Sequence, residues 1–531
     1  MLDKMSPNQR LIVAVLLSVV FFVGYTAIFP PVEQEVAPQK QQEVVQSKEQ
    51  SVAKAAQEVA GHTIATEEKA SKRTSSTIVS VKNDKFVLTI DTLGRIASKE
   101  LLEDKFRNDE DLHAQVIPDQ GTKPLYIRFA DDAINDEAIR TPYMADISEI
   151  DLKDQPVTVA LTQKLSSLTV TKVLTFYADG HYDAKISTSK DVRHFVYLGD
   201  RPQVSKKLMA VAGALIYTGD DVVHIIEDGD AEGRQIFQDV KLASSFDQYT
   251  AIILYGFKKD TSVIVERGCD DNPVVYFNAA QNENIHGYIG PKEHKVLKSI
   301  DPMLTNAIEY GWFTFAAKPL FALLSWLHGI FGNWGWAIIA LTFIIRAVLY
   351  PLTYKGMVSM QKMKELAPKL KELKEKYGKD PQKLNAMTME MYKKHGANPL
   401  GGCLPMLLQI PVFFALYRTL LNAVELQGAP WILWINDLSR MDPYYVLPIL
   451  MGASMFIQQR MTPNNFTDPM QEKVFKYLPV IFTFFFVTFP SGLVLYWFTN
   501  NLFSIAQQYI VNQQFRNAKD AQAALEKKSE K

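Results

Sequence analysis

The stretch WGWAIIALTFIIRAVLYPLTY, Trp334 to Tyr354, constrains this chain most. It is apolar and long enough to cross a bilayer, yet Arg346 stands inside it. A guanidinium keeps its proton there. Arg346 lies eight residues before Tyr354 and eleven after Gly335. At ~1.5 Å per helical residue it sits ~12 Å from one end of the span and ~16 Å from the other. Its side chain does not reach water reliably over that distance, and exposing it to lipid costs at least ~2.5–3.5 kcal/mol. The charge must face a partner or a wet cavity.

Five spans are expected in this half of the chain, at Gly335–Tyr354, Leu404–Asn422, Tyr444–Met461, Val474–Phe489 and Ser491–Val511. None contains Asp or Glu, so an ion pair within the spans is excluded. Uncharged polar residues are present instead. Thr342 and Tyr350 stand one turn to either side of Arg346 on the same face. Gln409, Gln458, Gln459, Thr483, Thr488, Thr499, Asn500, Asn501, Gln507 and Gln508 complete the set. An arginine among amides and hydroxyls is best solvated by water, which points to a hydrated cavity between helices, open to the cytoplasm. The alternative is a structural arginine bonded to main-chain carbonyls. Pro490-Ser491-Gly492 splits the last apolar stretch, and leaves a preceding helix of 16 residues, or ~24 Å, against a ~30 Å hydrocarbon core. A helix that short thins the bilayer beside it.

Leu11 to Phe29 carries no charge and follows Lys4 and Arg10. It is expected as an uncleaved signal-anchor helix within residues 1–29, a sixth span, with a cleaved signal as the alternative. Residues 30–77 are rich in Gln, Glu, Lys, Ala and Ser and predict a flexible linker. From 78 to 300, FVLTID, VTVALT, LTVTKVLTFY, AIILYGF and PVVYF alternate with period two between turn residues, which predicts a large all-β domain, a sandwich. It shows no metal cluster, nucleophile motif or phosphate loop. His113, His181, His194 and His224 are scattered singly, and Cys269 and Cys403 lie far apart, so neither a disulfide framework nor a cofactor is expected. Residues 301–333 are expected to hold a helix lying on the outer membrane surface.

Lysine placement sets the orientation. Lys355 to Leu400 carries eleven lysines against five acids, whereas Glu425 to Pro443 carries one arginine against three. The first loop is therefore expected inside, as are the N-terminus and the basic tail 513–531, and the β domain outside. Met363, Leu366, Leu370, Leu373 and Tyr377 repeat as 3,4,3,4 and predict one arm of a cytoplasmic helical hairpin over 355–400. Asp380 caps the second arm, where Leu384, Met387 and Met391 continue the seam. The hairpin reads as a basic spacer beside anionic lipid or as a docking surface for a ribosome or targeting factor.

Several segments resemble the bacterial YidC/Oxa/Alb family of membrane protein insertases in its Gram-negative form. They are NPLGGCLPMLLQIPVFFALY from Asn398, DPYYVLPILMG from Asp442, TDPMQEK from Thr467, FPSGLVLYW from Phe489, YIGPKE from Tyr288, and GNWGWAI with the Arg346 helix. The resemblance covers the whole chain. It implies a periplasmic β-supersandwich (78–300) and a five-helix insertase core of the inner membrane (334–354 and 401–512) around a hydrophilic groove. In that groove Arg346 receives the polar part of an incoming chain, with Gln458 and Trp497 among its lining. Trp497 stands where close relatives carry tyrosine. The resemblance also implies a substrate slide at Ile410, Phe413, Ile481 and Phe485, and as partners nascent membrane proteins, the Sec translocon, a ribosome and the signal-recognition receptor. It implies no enzyme chemistry and no cofactor. The alternatives are a solute transporter or channel with Arg346 as an anion site, an enzyme in the β domain, and a folding chaperone coexisting with insertion. Five core spans show no internal repeat, which argues against a transporter.

Overall fold

The computed structural model describes residues 76–107, 112–204, 211–268, 271–309, 314–378, 380–395, 404–461 and 469–529. The expected signal anchor (1–29), the linker up to residue 75, Cys269, Cys403 and the NPLGGC segment lie outside the described residues. Two compact units emerge, one from 76–314 with Leu421–Gly428, the other from 315–420 and 429–529.

Alternation of apolar and polar residues builds the first unit. In Thr169–Phe176 every second side chain, Val170, Lys172, Leu174 and Phe176, is buried. That strand belongs to a nine-stranded sheet running from the edge strand Val223–Glu227 through Gly213–Thr218, Val240–Phe246, Thr250–Tyr255, Asn282–Pro291 and His181–Thr188 to Thr169–Phe176, Val157–Lys164 and Met144–Ala145. A five-stranded sheet holds Thr77–Lys82, Phe86–Asp91 and Ile96–Leu101, with Ala114–Gln115 at one edge and Glu149–Asp151 pairing in parallel at the other. The third sheet runs Arg234–Phe237, Val263–Arg267, Pro273–Ala279, His194–Tyr197 and Ile127–Phe129. One apolar core, from Val79 and Leu88 through Leu174 and Ile252 to Phe277, draws on all three sheets. Two short helices accompany them. Helix α1 (Asp132–Arg140) is capped by Asp131, which accepts the Ile134 N–H at 3.0 Å, and α2 is His294–Ile300. Gly287 belongs to the Asn282–Pro291 strand at a place where any Cβ would collide with the Tyr182 ring.

Two lysines on core faces fasten the sheets together. Lys99 Nζ donates to the carbonyls of Ile289 (2.5 Å) and Gly180 (3.3 Å) and lies 3.9 Å from the Phe86 ring centre. Lys172 Nζ donates to Gly94 O and Leu125 O, both at 2.8 Å. Burial pushes each ammonium down to about 7. The folded value lies below the unfolded one, so between pH 7 and the usual lysine range the unfolded chain binds more protons and stability rises with pH. In denaturation followed by β-sheet circular dichroism, the first unit is expected to gain up to ~1.4 kcal/mol per pH unit per lysine above neutrality. Lys99→Met is expected to remove one lysine's share of that slope. An unchanged slope would show that Lys99 does not titrate there.

The second unit is helical. Its helices are α3 (Thr314–Phe331), α4 (Trp334–Tyr377), α5 (Pro381–Lys394), α6 (Leu404–Asn422), α7 (Val446–Met461), α8 (Pro469–Phe486) and α9 (Ser491–Ser529). Asn333 caps α4 by accepting the Trp336 N–H at 3.2 Å, and Asp380 caps α5 by accepting the Lys383 N–H at 3.1 Å. Three boundaries differ from the sequence-based ones. The division expected between Tyr354 and Lys355 is absent, because α4 continues through Pro351 and Pro368 for 44 residues. Likewise α9 is 39 residues long and runs on to Ser529, past the expected end of the last span. The split at Pro490 is real, but α8 has 18 residues and ends at Phe486, three residues before Phe489. At ~1.5 Å per residue it reaches ~27 Å. The apolar positions predicted for the α4 and α5 arms, Leu366 and Leu373 on one and Leu384 and Met387 on the other, are the more buried positions of those arms.

Candidate functional site

Arg346 is held by three residues of two other helices. Its Nε donates to Asn500 Oδ1 at 2.7 Å. Its Nη2 donates to Ser504 Oγ (2.5 Å), Asn500 O (3.3 Å) and Gln409 Oε1 (3.4 Å). Among the described residues no carboxylate pairs with it, and Nη1 makes no hydrogen bond. Asn500 and Ser504 are one turn apart on α9, so a single helix face presents both. The next turn continues the seam, where Gln507 Nε2 donates to Thr353 Oγ1 at 2.6 Å. Beyond it Tyr354 OH bonds Gln514 Oε1 (3.1 Å), and Gln361 bonds Asn512. A polar stripe thus runs along α4 and α9. The adjacent Asn501, turned ~100° around α9, instead donates to Ser454 Oγ on α7 at 3.0 Å.

The sequence places the guanidinium among amides and hydroxyls with water as its solvent, and three of those groups bond it themselves. Amide and hydroxyl oxygens bond it directly, and a main-chain oxygen supplies one of the four bonds. Among the described contacts none of the four other expected groove residues, Thr342, Tyr350, Gln458 and Trp497, is hydrogen-bonded to it. Thr342 is buried and returns its hydroxyl to Ile338 O at 2.7 Å, the backbone bond available to a helical threonine. Tyr350 is exposed and stacks on Tyr354 at 5.8 Å. Gln458 is half-buried on α7. Trp497 belongs to an aromatic cluster, against Phe413 (4.6 Å, edge-on), Phe486 (4.8 Å) and Phe482 (5.9 Å). Of the expected slide, Ile410, Ile481 and Phe485 are exposed and Phe413 is half-buried beside Trp497. Ile481 and Phe485 share a broad exposed apolar face of α8 with Tyr477, Val480 and Phe484.

Sequence reasoning missed two arrangements. Ser504 was absent from the polar set, although its spacing of four from Asn500 is the signal that finds it. In the β unit, His181 and His286 are not isolated. Strand pairing sets Asp183 opposite His286, whose Nδ1 meets Asp183 Oδ1 at 2.5 Å, while Tyr177 OH donates to Asp183 Oδ2 at 2.8 Å. Both histidines line a cleft of about 610 Å³. The described residues hold no group of three or more His, Cys, Asp or Glu placed to bind a metal ion. The segment Leu421–Gly428 is tied into this unit. Gln248 donates to Leu421 O at 2.7 Å, and Asn422 donates to Glu309 O at 2.8 Å. Glu425 accepts the His294 N–H at 2.9 Å, and burial pushes its carboxyl up to about 7.

Comparison with known proteins agrees with both units. The family model described as 60Kd inner membrane protein matches residues 326–519, and the model described as YidC periplasmic domain matches 250–323. The membrane protein insertase YidC of Wolinella succinogenes is 47% identical over 98% of both chains. Its counterpart in Campylobacter jejuni is 44% identical over 96% of both, and that of Helicobacter pylori 44% identical over 99% of this chain and 100% of its own. The chain belongs to the YidC family of membrane protein insertases. Its fold is accordingly a β-rich periplasmic domain joined to a helical region of the inner membrane.

Proposed function

We propose that this chain inserts nascent inner-membrane proteins by admitting their polar segments to a groove beside Arg346. The observation that carries this reading is a guanidinium that, among the described residues, has no acidic mate and no hydrogen bond at Nη1. Asn500, Ser504 and Gln409 hold the group in place through Nε and Nη2. Nη1 then offers two N–H donors and a full charge to water or to a passenger carboxylate. An acidic terminus or short loop is drawn part-way across. The passenger's apolar stretch meanwhile follows the exposed faces of α6 and α8, at Ile410, Ile481 and Phe485. Partition into lipid supplies the driving force, ~0.8 kcal/mol per buried CH₂, and α8 at ~27 Å shortens the crossing. The reaction needs no bond cleavage.

The same reading has six spans, both termini cytoplasmic, α3 along the outer surface, and α5 with its facing arm of α4 in the cytoplasm. The basic hairpin and tail there are the surfaces for a ribosome, the signal-recognition receptor or the Sec translocon. A photo-crosslinker placed at Gln458 or Phe485 is expected to capture a stalled nascent chain through its first polar segment or its apolar stretch, respectively. Adducts absent from both positions, with adducts forming from the hairpin, would overturn the groove.

A further inference from the structure

The loop between Ala429 and Val446, which joins the second unit's α6 side to α7, is built with its polarity reversed. Of its two carboxylates Asp442 is 1% exposed and is consumed internally, and Asp437 pairs with Arg440 at 3.3 Å. Asp442 Oδ1 accepts Trp434 Nε1 (2.9 Å) and the Tyr444 N–H (3.0 Å), and Oδ2 accepts the Leu447 N–H (2.7 Å). Ser439 is buried beside Leu438 and Ile435. The loop is pinned to the start of α9, where Ser491 N–H and Oγ both donate to Arg440 O, at 2.7 and 2.8 Å. It is pinned to the start of α4 through Asn333, which donates to Pro430 O at 2.9 Å. What this rigid scaffold turns outward, beside Asn436 and Arg440, is largely apolar. Leu433 is 78% exposed and Tyr444 66%, and Ile432, Met441 and Tyr445 are exposed with them. Leu433 and Tyr445 are held at positive φ (54° and 58°), a conformation that side chains of their size enter only when the surrounding structure imposes it. A water-facing loop would bury these five side chains and expose its acids.

We infer that this loop is a lipid-seated cap, with Leu433, Met441 and Tyr444 immersed at the headgroup boundary of the bilayer. Two observations choose lipid as the occupant. The exposed side chains run on into the exposed apolar stripe of α7 through Tyr445, Ile449, Phe456 and Ile457, spaced as one helix face. The same end of the helical unit gathers Trp334, Trp336, Trp431 and Trp434, with Trp336 edge-on to Trp431 at 6.0 Å. Trp and Tyr concentrate where apolar body and polar tip meet the membrane surface. The cap fixes the depth of the bundle at the ends of α4, α7 and α9.

The test is collisional accessibility of spin labels on the full chain, with Cys269 and Cys403 replaced by serine, in phosphatidylethanolamine–phosphatidylglycerol vesicles. Labels go on Leu433→Cys and Tyr444→Cys. Ile449→Cys serves as the lipid-facing reference and Lys374→Cys as the water-facing one. The oxygen-to-nickel collision ratio at 433 and 444 is expected to match that at 449 and to exceed that at 374 clearly, because oxygen partitions into the acyl boundary and nickel complexes stay in water. A ratio equal to that at 374 overturns the cap in favour of water. Exclusion of both reagents overturns it in favour of a covering protein. Failure of the membrane reading itself shows separately, as a low ratio at 449.

Discussion

Arg346→Ala is expected to lower the insertion of short passengers with acidic translocated segments by about tenfold or more, equivalent to at least ~1.4 kcal/mol. Passengers with neutral segments are expected to change little. The effect comes from the side of the guanidinium that Asn500, Ser504 and Gln409 leave open. Two of its three nitrogens are engaged by Asn500, Ser504 and Gln409, so the group is oriented before a passenger arrives. A carboxylate approaching Nη1 meets a charge in low dielectric, where the attraction is several times stronger than in water. Arg346→Lys keeps the charge and loses the planar fork, so an intermediate result is expected. Protease protection of labelled passengers in inverted vesicles reads the outcome. Equal insertion of acidic and neutral passengers by wild type and Arg346→Ala would assign the charge to structure alone.

Asn500→Leu is expected to destabilise the helical unit by ~1–3 kcal/mol, the cost of leaving a buried donor unpaired. Leucine removes the Oδ1 that accepts from Arg346 Nε and keeps the main-chain oxygen that accepts from Nη2. Unfolding in detergent, followed by helical circular dichroism, measures it. Arg346→Met in the same chain is expected to recover much of the loss, since no charge is then stranded. The double-variant cycle should give a coupling of roughly 1–2 kcal/mol. Additive effects would mean that the 2.7 Å contact carries no energy of its own. The cycle also separates holding the arginine from using it, because Asn500→Leu leaves the charge in place.

Much of the architecture was legible because each unit repeats one local rule. Alternation over Thr169–Phe176 announced a strand, and the cap at Asp380 with Pro381 announced the start of α5. The same rules fail where two elements merge. Nothing local stops a helix at Tyr354, since Lys355 and Gly356 continue it and Pro368 removes a single hydrogen bond without ending it. The site was legible at Arg346 because a charge within an apolar run has few physical outlets. Its partners were harder to read. Asn500 lies 154 residues away, and only the relative rotation of two helices decides whether Asn500 or Asn501 turns to the arginine. Trp497 was expected beside polar groups and sits among Phe413, Phe482 and Phe486, because ring packing outweighs the single indole N–H. The pairing of His286 with Asp183 depended on strand register, which a single sequence does not state.

The uninterrupted α4 has a mechanical consequence. Arg346 and Tyr377 share one helix 31 residues apart, so a rigid arm of ~47 Å joins the charge to the helix tip. A tilt of about five degrees at the arginine displaces that tip by ~4 Å. Force applied at the tip is geared down in amplitude on its way to the guanidinium. Pro351 and Pro368 are the two compliant joints of the arm. Stiffening or softening them would tune how strongly loading at one extremity is felt at the other, with no change in any residue that meets the cargo.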